Sequence, residues 1–187
     1  MSLADRLDLP GTPRLLLDGI GTTELALSVC EALRTRGRQP LLVAAEGFWR
    51  PAGERFTHGR EDWQEFRDSW LNAGALRREV LDAVIGTKPT WLPALWDVSR
   101  DRSARLTALP VPDRAVVVVH GVFLLGRELP AELVAHVALS PAALSRRGVP
   151  GWQLAAFATY DDQVRPSELC DVLVRAEDPL RPAVRWP

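Results

Sequence analysis

Apolar residues along this chain fall in short unbroken runs, and the stretches between them carry apolar positions at spacings of three and four. "RLLLD" (14–18), between a Gly-Thr-Pro turn and Gly19, reads as a buried strand. Residues 22–36 read as a helix, with Leu25, Ala26, Val29, Cys30 and Leu33 on one face and Gly37 as its stop. "PLLVAAE" (40–46) is a second strand, apolar on both faces as a covered parallel strand should be. Residues 63–86 are helical, with a break at Asn72-Ala73-Gly74. Residues 90–112, polar at their centre, predict a short hairpin or ordered loop. Three further strands follow at 114–121 ("RAVVVVHG"), 133–140 ("LVAHVALS") and 171–176 ("DVLVRA"). The stretch between the last two is helical around Gly148–Gly151.

Strands alternating with helices predict a doubly wound, mostly parallel five-stranded α/β sheet with helices on both faces. The 187 residues suit a single domain, with 1–13 as an N-terminal extension. In such sheets ligands bind beyond the carboxyl ends of the strands. The ends here are Asp18-Gly19, Glu46-Gly47 and His120-Gly121, and the fold should bring all three to one edge.

Composition narrows the function. A formal charge of −1 gives no electrostatic case for nucleic acid or an anionic membrane. The longest apolar run, "AVVVVHGVFLL", is too short to span a bilayer, and "MSLADRLDLPGTP" does not have the apolar core of a signal peptide. Cys30 and Cys170 stand apart, as expected of a cytoplasmic protein, and His58, His120 and His136 are scattered without metal-ligand spacing, so no metal is expected. No Ser/His/Asp or Cys/His pattern suggests a hydrolase. Of the 23 basic residues, Lys88 is the only lysine, so chemistry that needs a lysine has one candidate.

The ordered set of turns resembles the uridine kinase-like family of P-loop phosphotransferases, especially its short actinobacterial-type members. "LLLDG…TTELALSVCEALRTRG" is similar to the family's first strand, phosphate loop and helix. "LLVAAEGFWRPAGERFTHGRED" resembles its second strand and substrate loop. "VVVVHGVFLL" resembles its central strand, and "YDDQVRPSELCDVLVRAEDPLRP" its closing helix and strand. The resemblance covers nearly the whole chain. It implies a P-loop nucleoside kinase-like fold, an ATP-dependent phosphotransferase ancestry and a pocket for a small hydroxyl compound.

The departures bear on activity. A Walker loop is Gly, four residues, Gly-Lys, then Ser or Thr, which sets the hydroxyl residue seven places after the first glycine. Thr22 follows Gly19 by three, so four residues (seven minus three) are missing, the lysine among them. What remains, Gly19, Gly21, Thr22 and Thr23, is a phosphate-binding remnant, and Glu24 adds a carboxylate in the first helical turn. By the resemblance, Glu46 stands where the family has its general base, one methylene longer. His120 stands where an acid is expected, and a neutral imidazole is a poor ligand for magnesium. The lid is reduced to Arg146 and Arg147, and Arg175-Ala176 replaces the family's acid and asparagine, so nucleobase contacts do not carry over. Phe48, Trp49, Arg50, Arg55, Phe56 and Arg60 keep a family-like arrangement and form the expected acceptor pocket, where aromatics and arginines hold a planar ring or an anion. Trp49, Trp63, Trp70, Trp91 and Trp96 fall in or near this segment, which suits a pocket or interface as well as a core.

These features together predict a pseudoenzyme: a uridine kinase-like protein with a degenerate Walker A site, a small-molecule pocket, and a role in ligand binding or in association with a protein partner or a second copy. The alternative is an active kinase of a nucleoside or other small molecule. In that case ATP and magnesium are its cofactors, and Arg146, Arg147, Arg60 or Lys88 replaces the missing lysine.

Overall fold

The computed structural model describes residues 2–178 and 183–186. Six strands form one sheet: β1 (Arg14–Asp18), β2 (Gln39–Ala44), β3 (Ala115–Gly121), β4 (Leu133–Ala138), β5 (Val172–Arg175) and β6 (Ala183–Arg185). Their spatial order is β6-β5-β4-β1-β3-β2, parallel throughout except for β6, which pairs antiparallel with β5. The α/β class and parallel sheet are as expected. The sixth strand escaped the sequence because it is three residues long and exposed, with no apolar run to announce it.

β1 lies between β4 and β3, and the alternation of β1 and β3 splits the core into two layers. Leu15 and Leu17, with Val116 and Val118, face α2 (Thr22–Thr35) through Ala26, Val29, Cys30 and Leu33. On the other face Leu16, Val117 and Val119 meet Phe48, Phe66, Trp70 and the helix Gly151–Gln163. Residues 3–7, read as part of an extension, belong to the first layer. α1 (Leu3–Arg6) is a short helix with a Ser2 capping box, and Leu3, Ala4 and Leu7 are buried against α2.

β2 ends at Ala44, two residues early, and Ala45–Phe48 winds into a 3-10 turn that carries Glu46. β2 is also an edge strand with only Leu41 and Val43 buried, so it is not covered on both faces. The break at Asn72 is real. Trp63–Asp68 stops, and the Asn72 side chain accepts the Ala75 N–H to start Ala73–Leu76, which continues as a π turn over Arg77–Leu81. The hairpin region resolves into two small antiparallel pairs, Thr90–Trp91 with Leu109–Pro110 and Trp96–Asp97 with Arg102–Ser103. Among the described residues no helix is long and apolar enough to cross a membrane.

Candidate functional site

The carboxyl ends of β1, β2 and β3 meet at one edge, as parallel pairing of Asp18 with Gly121 and of Ala44 with His120 requires. They open on a cleft of about 330 Å³ whose lining includes Gly19, Gly21, Thr22 and Thr23 from the shortened loop, Glu46 from the 3-10 turn, and His120. Trp49, Phe66 and Phe157 supply its aromatic walls.

The loop itself is closed. The Gly19 N–H donates to the Gly121 carbonyl (2.8 Å), and the buried Thr22 hydroxyl donates back to the Gly19 carbonyl (3.2 Å). Gly19 has φ 120°, and a Cβ there would stand 2.6 Å from the Val137 carbonyl oxygen, so the turn lies flat on β4. Gly21 caps α2 in the left-handed region with no side-chain hydrogen bond.

Of the basic residues named for the donor side, one comes near. The Arg147 guanidinium lies 2.9 Å from where a Gly21 Cβ would be, and its Nη2 donates to the Ala176 carbonyl (2.7 Å). Arg146 instead approaches Glu177 at 4.0 Å, and Arg60 lies over the Phe56 ring. Lys88 is exposed, and its neighbour Pro89 lines a groove with Asp113 and Arg114 before the start of β3, at the opposite edge of the sheet.

The residues grouped as an acceptor pocket separate into wall and scaffold. Trp49 lines the cleft, whereas Phe48 is fully buried in the core. Arg55 is 4% exposed and enclosed by Trp49, Phe56 and Trp70, with its Nε donating to the Arg50 carbonyl. Burial pulls its guanidinium below the ordinary value, opposed by Asp101. Arg50 is held by the Ser69 carbonyl and Glu54, and Phe56 packs edge-on to Trp70. Among the described residues these four arginine and phenylalanine side chains brace the wall behind Trp49 and do not line the cleft.

His120 is 9% exposed, and among the described residues its ring has no hydrogen-bond partner. Burial lowers its imidazole below the ordinary value, and Glu24 pulls it the other way. The ring is therefore a neutral hydrogen-bonding group facing the cleft.

A buried network directly beneath the loop was not foreseen. Asp18 is fully buried; its Oδ1 accepts the Leu124 N–H (2.8 Å), and its Oδ2 meets His136 Nδ1 (2.7 Å) and the Tyr160 hydroxyl (3.1 Å). Tyr160 also accepts the Leu125 N–H (3.0 Å). Burial, then the Asp18 charge, push the Tyr160 hydroxyl well up, so it remains a donor. The available signals were an aspartate ending an apolar strand and a histidine inside another, but neither named its partner.

No family model and no curated protein matches the chain. Solved structures do. A possible uridine kinase from Bacillus stearothermophilus superposes with a TM-score of 0.70 at 22% identity, over 92% of this chain and 99% of that one. A protein described as a fructose transport system kinase from Silicibacter sp. TM1040 follows at 0.61 and 20%, over 91% and 95%. Phosphoribulokinase from Rhodobacter spheroides gives 0.56 and 12%, over 88% and 70%. The chain therefore has the α/β fold of the uridine kinase-like P-loop kinases.

Proposed function

We propose that this kinase-like protein binds a small molecule in the cleft at the ends of β1, β2 and β3 and does not carry out ATP chemistry. One observation carries the reading: the turn between β1 and α2 is closed on itself. An intact Walker loop turns successive N–H groups inward around a phosphate and offers its Ser or Thr hydroxyl to magnesium. Here the Gly19 N–H is taken by the Gly121 carbonyl, and the Thr22 hydroxyl is held against the Gly19 carbonyl on a residue only 3% exposed. The absence of the lysine removes the charge that would offset a triphosphate, and Glu24 adds repulsion. Glu46, on its turn at the cleft, is the residue we assign to meet a ligand hydroxyl or amine.

The expected result is that millimolar Mg·ATP leaves the tryptophan fluorescence unchanged, while a member of a panel of nucleosides and small sugars alters it through Trp49. Saturable, magnesium-dependent ATP binding would refute the reading. A second reading, an active kinase, has one observation in its favour: the Arg147 guanidinium beside Gly21, the place where a loop lysine would be sought. Under that reading Arg147→Ala abolishes phosphoryl transfer and Arg146→Ala does not. Turnover that survives Arg147→Ala would end it.

A further inference from the structure

We propose that the cleft selects a small protonated amine on a ring or hydroxylated body. This rests on the small-molecule reading above and adds the charge of the ligand. Among the described residues Glu46 is the one formally charged side chain that lines the cleft, and its carboxylate has no ion-pair or hydrogen-bond partner. The charge felt at the His120 ring is that of Glu24, also negative and also unpaired. Of the neighbouring cations, Arg50 is paired with Glu54 and Arg55 sits in its aromatic enclosure, while Arg147, bonded to the neutral Ala176 carbonyl, keeps its charge beside Gly21 without lining the cleft.

The walls suit a cation as well. Trp49, Phe66 and Phe157 present ring surface to the cleft, and aromatic faces attract ammonium groups. His120 is neutral and has no protein hydrogen-bond partner among the described residues, so its ring is available to accept an N–H or O–H of the ligand. The amino end of α2 favours anions, but Glu24 in its first turn offsets that end. An anionic ligand of equal size meets the unpaired Glu46 carboxylate, and among the described residues only the Arg147 guanidinium beside Gly21 offsets it. An ammonium meets a carboxylate and aromatic faces together.

Three probes with one skeleton isolate the charge: benzylamine, benzyl alcohol and benzoate, titrated calorimetrically into the full chain at neutral pH. Benzylamine is expected to bind about tenfold more tightly than benzyl alcohol, the combined size of an exposed ion pair and a cation–π contact. Benzoate should bind weakest. Glu46→Gln should cut the advantage of the amine over the alcohol to about threefold, the share left to the aromatic walls. Benzoate binding as tightly as benzylamine, or an amine affinity indifferent to Glu46→Gln, overturns the proposal. Equal binding of amine and alcohol overturns it too, yet leaves the small-molecule reading standing. If none of the three binds, the charge proposal fails and the nucleoside and sugar panel decides the pocket on its own.

Discussion

Asp18→Ala is expected to lower the unfolding free energy by about 3–5 kcal/mol, measured by urea denaturation at neutral pH. The size follows from what the carboxylate holds. Asp18 is fully buried, and its removal strands the Leu124 N–H, the His136 ring and the Tyr160 hydroxyl in the interior. A buried donor left without a partner costs its desolvation, about 1–3 kcal/mol, and three such groups are exposed to that loss at once. Tyr160→Phe removes one spoke and leaves the Leu125 N–H unsatisfied, so about 1–3 kcal/mol is expected. The two changes share a network, and their combined cost should fall short of the sum. A loss below 1 kcal/mol for Asp18→Ala would show that water replaces the carboxylate, and the network would not be the keystone of the loop.

Gly19→Ala should be nearly as damaging, by about 3 kcal/mol or more. Two penalties coincide there. The φ of 120° is a conformation that an L residue adopts at a cost of about 1–3 kcal/mol, and the new methyl would press on the Val137 carbonyl oxygen at 2.6 Å. Backbone of a central strand has no rotamer by which to withdraw. Gly11→Ala makes the comparison: it also has positive φ but has nothing within 4 Å, so it pays the conformational cost alone. Equal losses at the two positions would mean that the close approach to β4 contributes nothing.

The contrast between strands and loop explains what the sequence disclosed. β1 and β3 were legible because burial on both faces demands unbroken apolar runs, and "RLLLD" and "AVVVV" can serve little else. The convergence of Gly19, Glu46 and His120 was legible too, since parallel strands carry their carboxyl ends to one edge. The partition of the aromatic–arginine segment was not. Phe48 and Trp49 are adjacent, yet one is core and the other cleft wall, and the 3-10 turn that decides between them leaves no periodicity to read. Nor was the Asp18–His136–Tyr160 network, whose members are 118 and 142 residues distant from Asp18 and are joined only by the folded sheet.

The order of strands also sets a timetable for the chain as it leaves the ribosome. β1 lies between β3 and β4, so after Asp18 has been made, nearly a hundred residues (115 minus 18) must follow before the first residue of a neighbouring strand exists. At about 5–20 residues per second, β1 waits for roughly 5–20 seconds as an unpaired apolar segment. Its shelter in that interval is local. α2 follows directly and can cover Leu15 and Leu17, while the aromatic layer that covers Leu16 comes with residues 41–81. The nascent protein is thus a strand wrapped by its own successors, and Leu16 is the side chain left waiting longer.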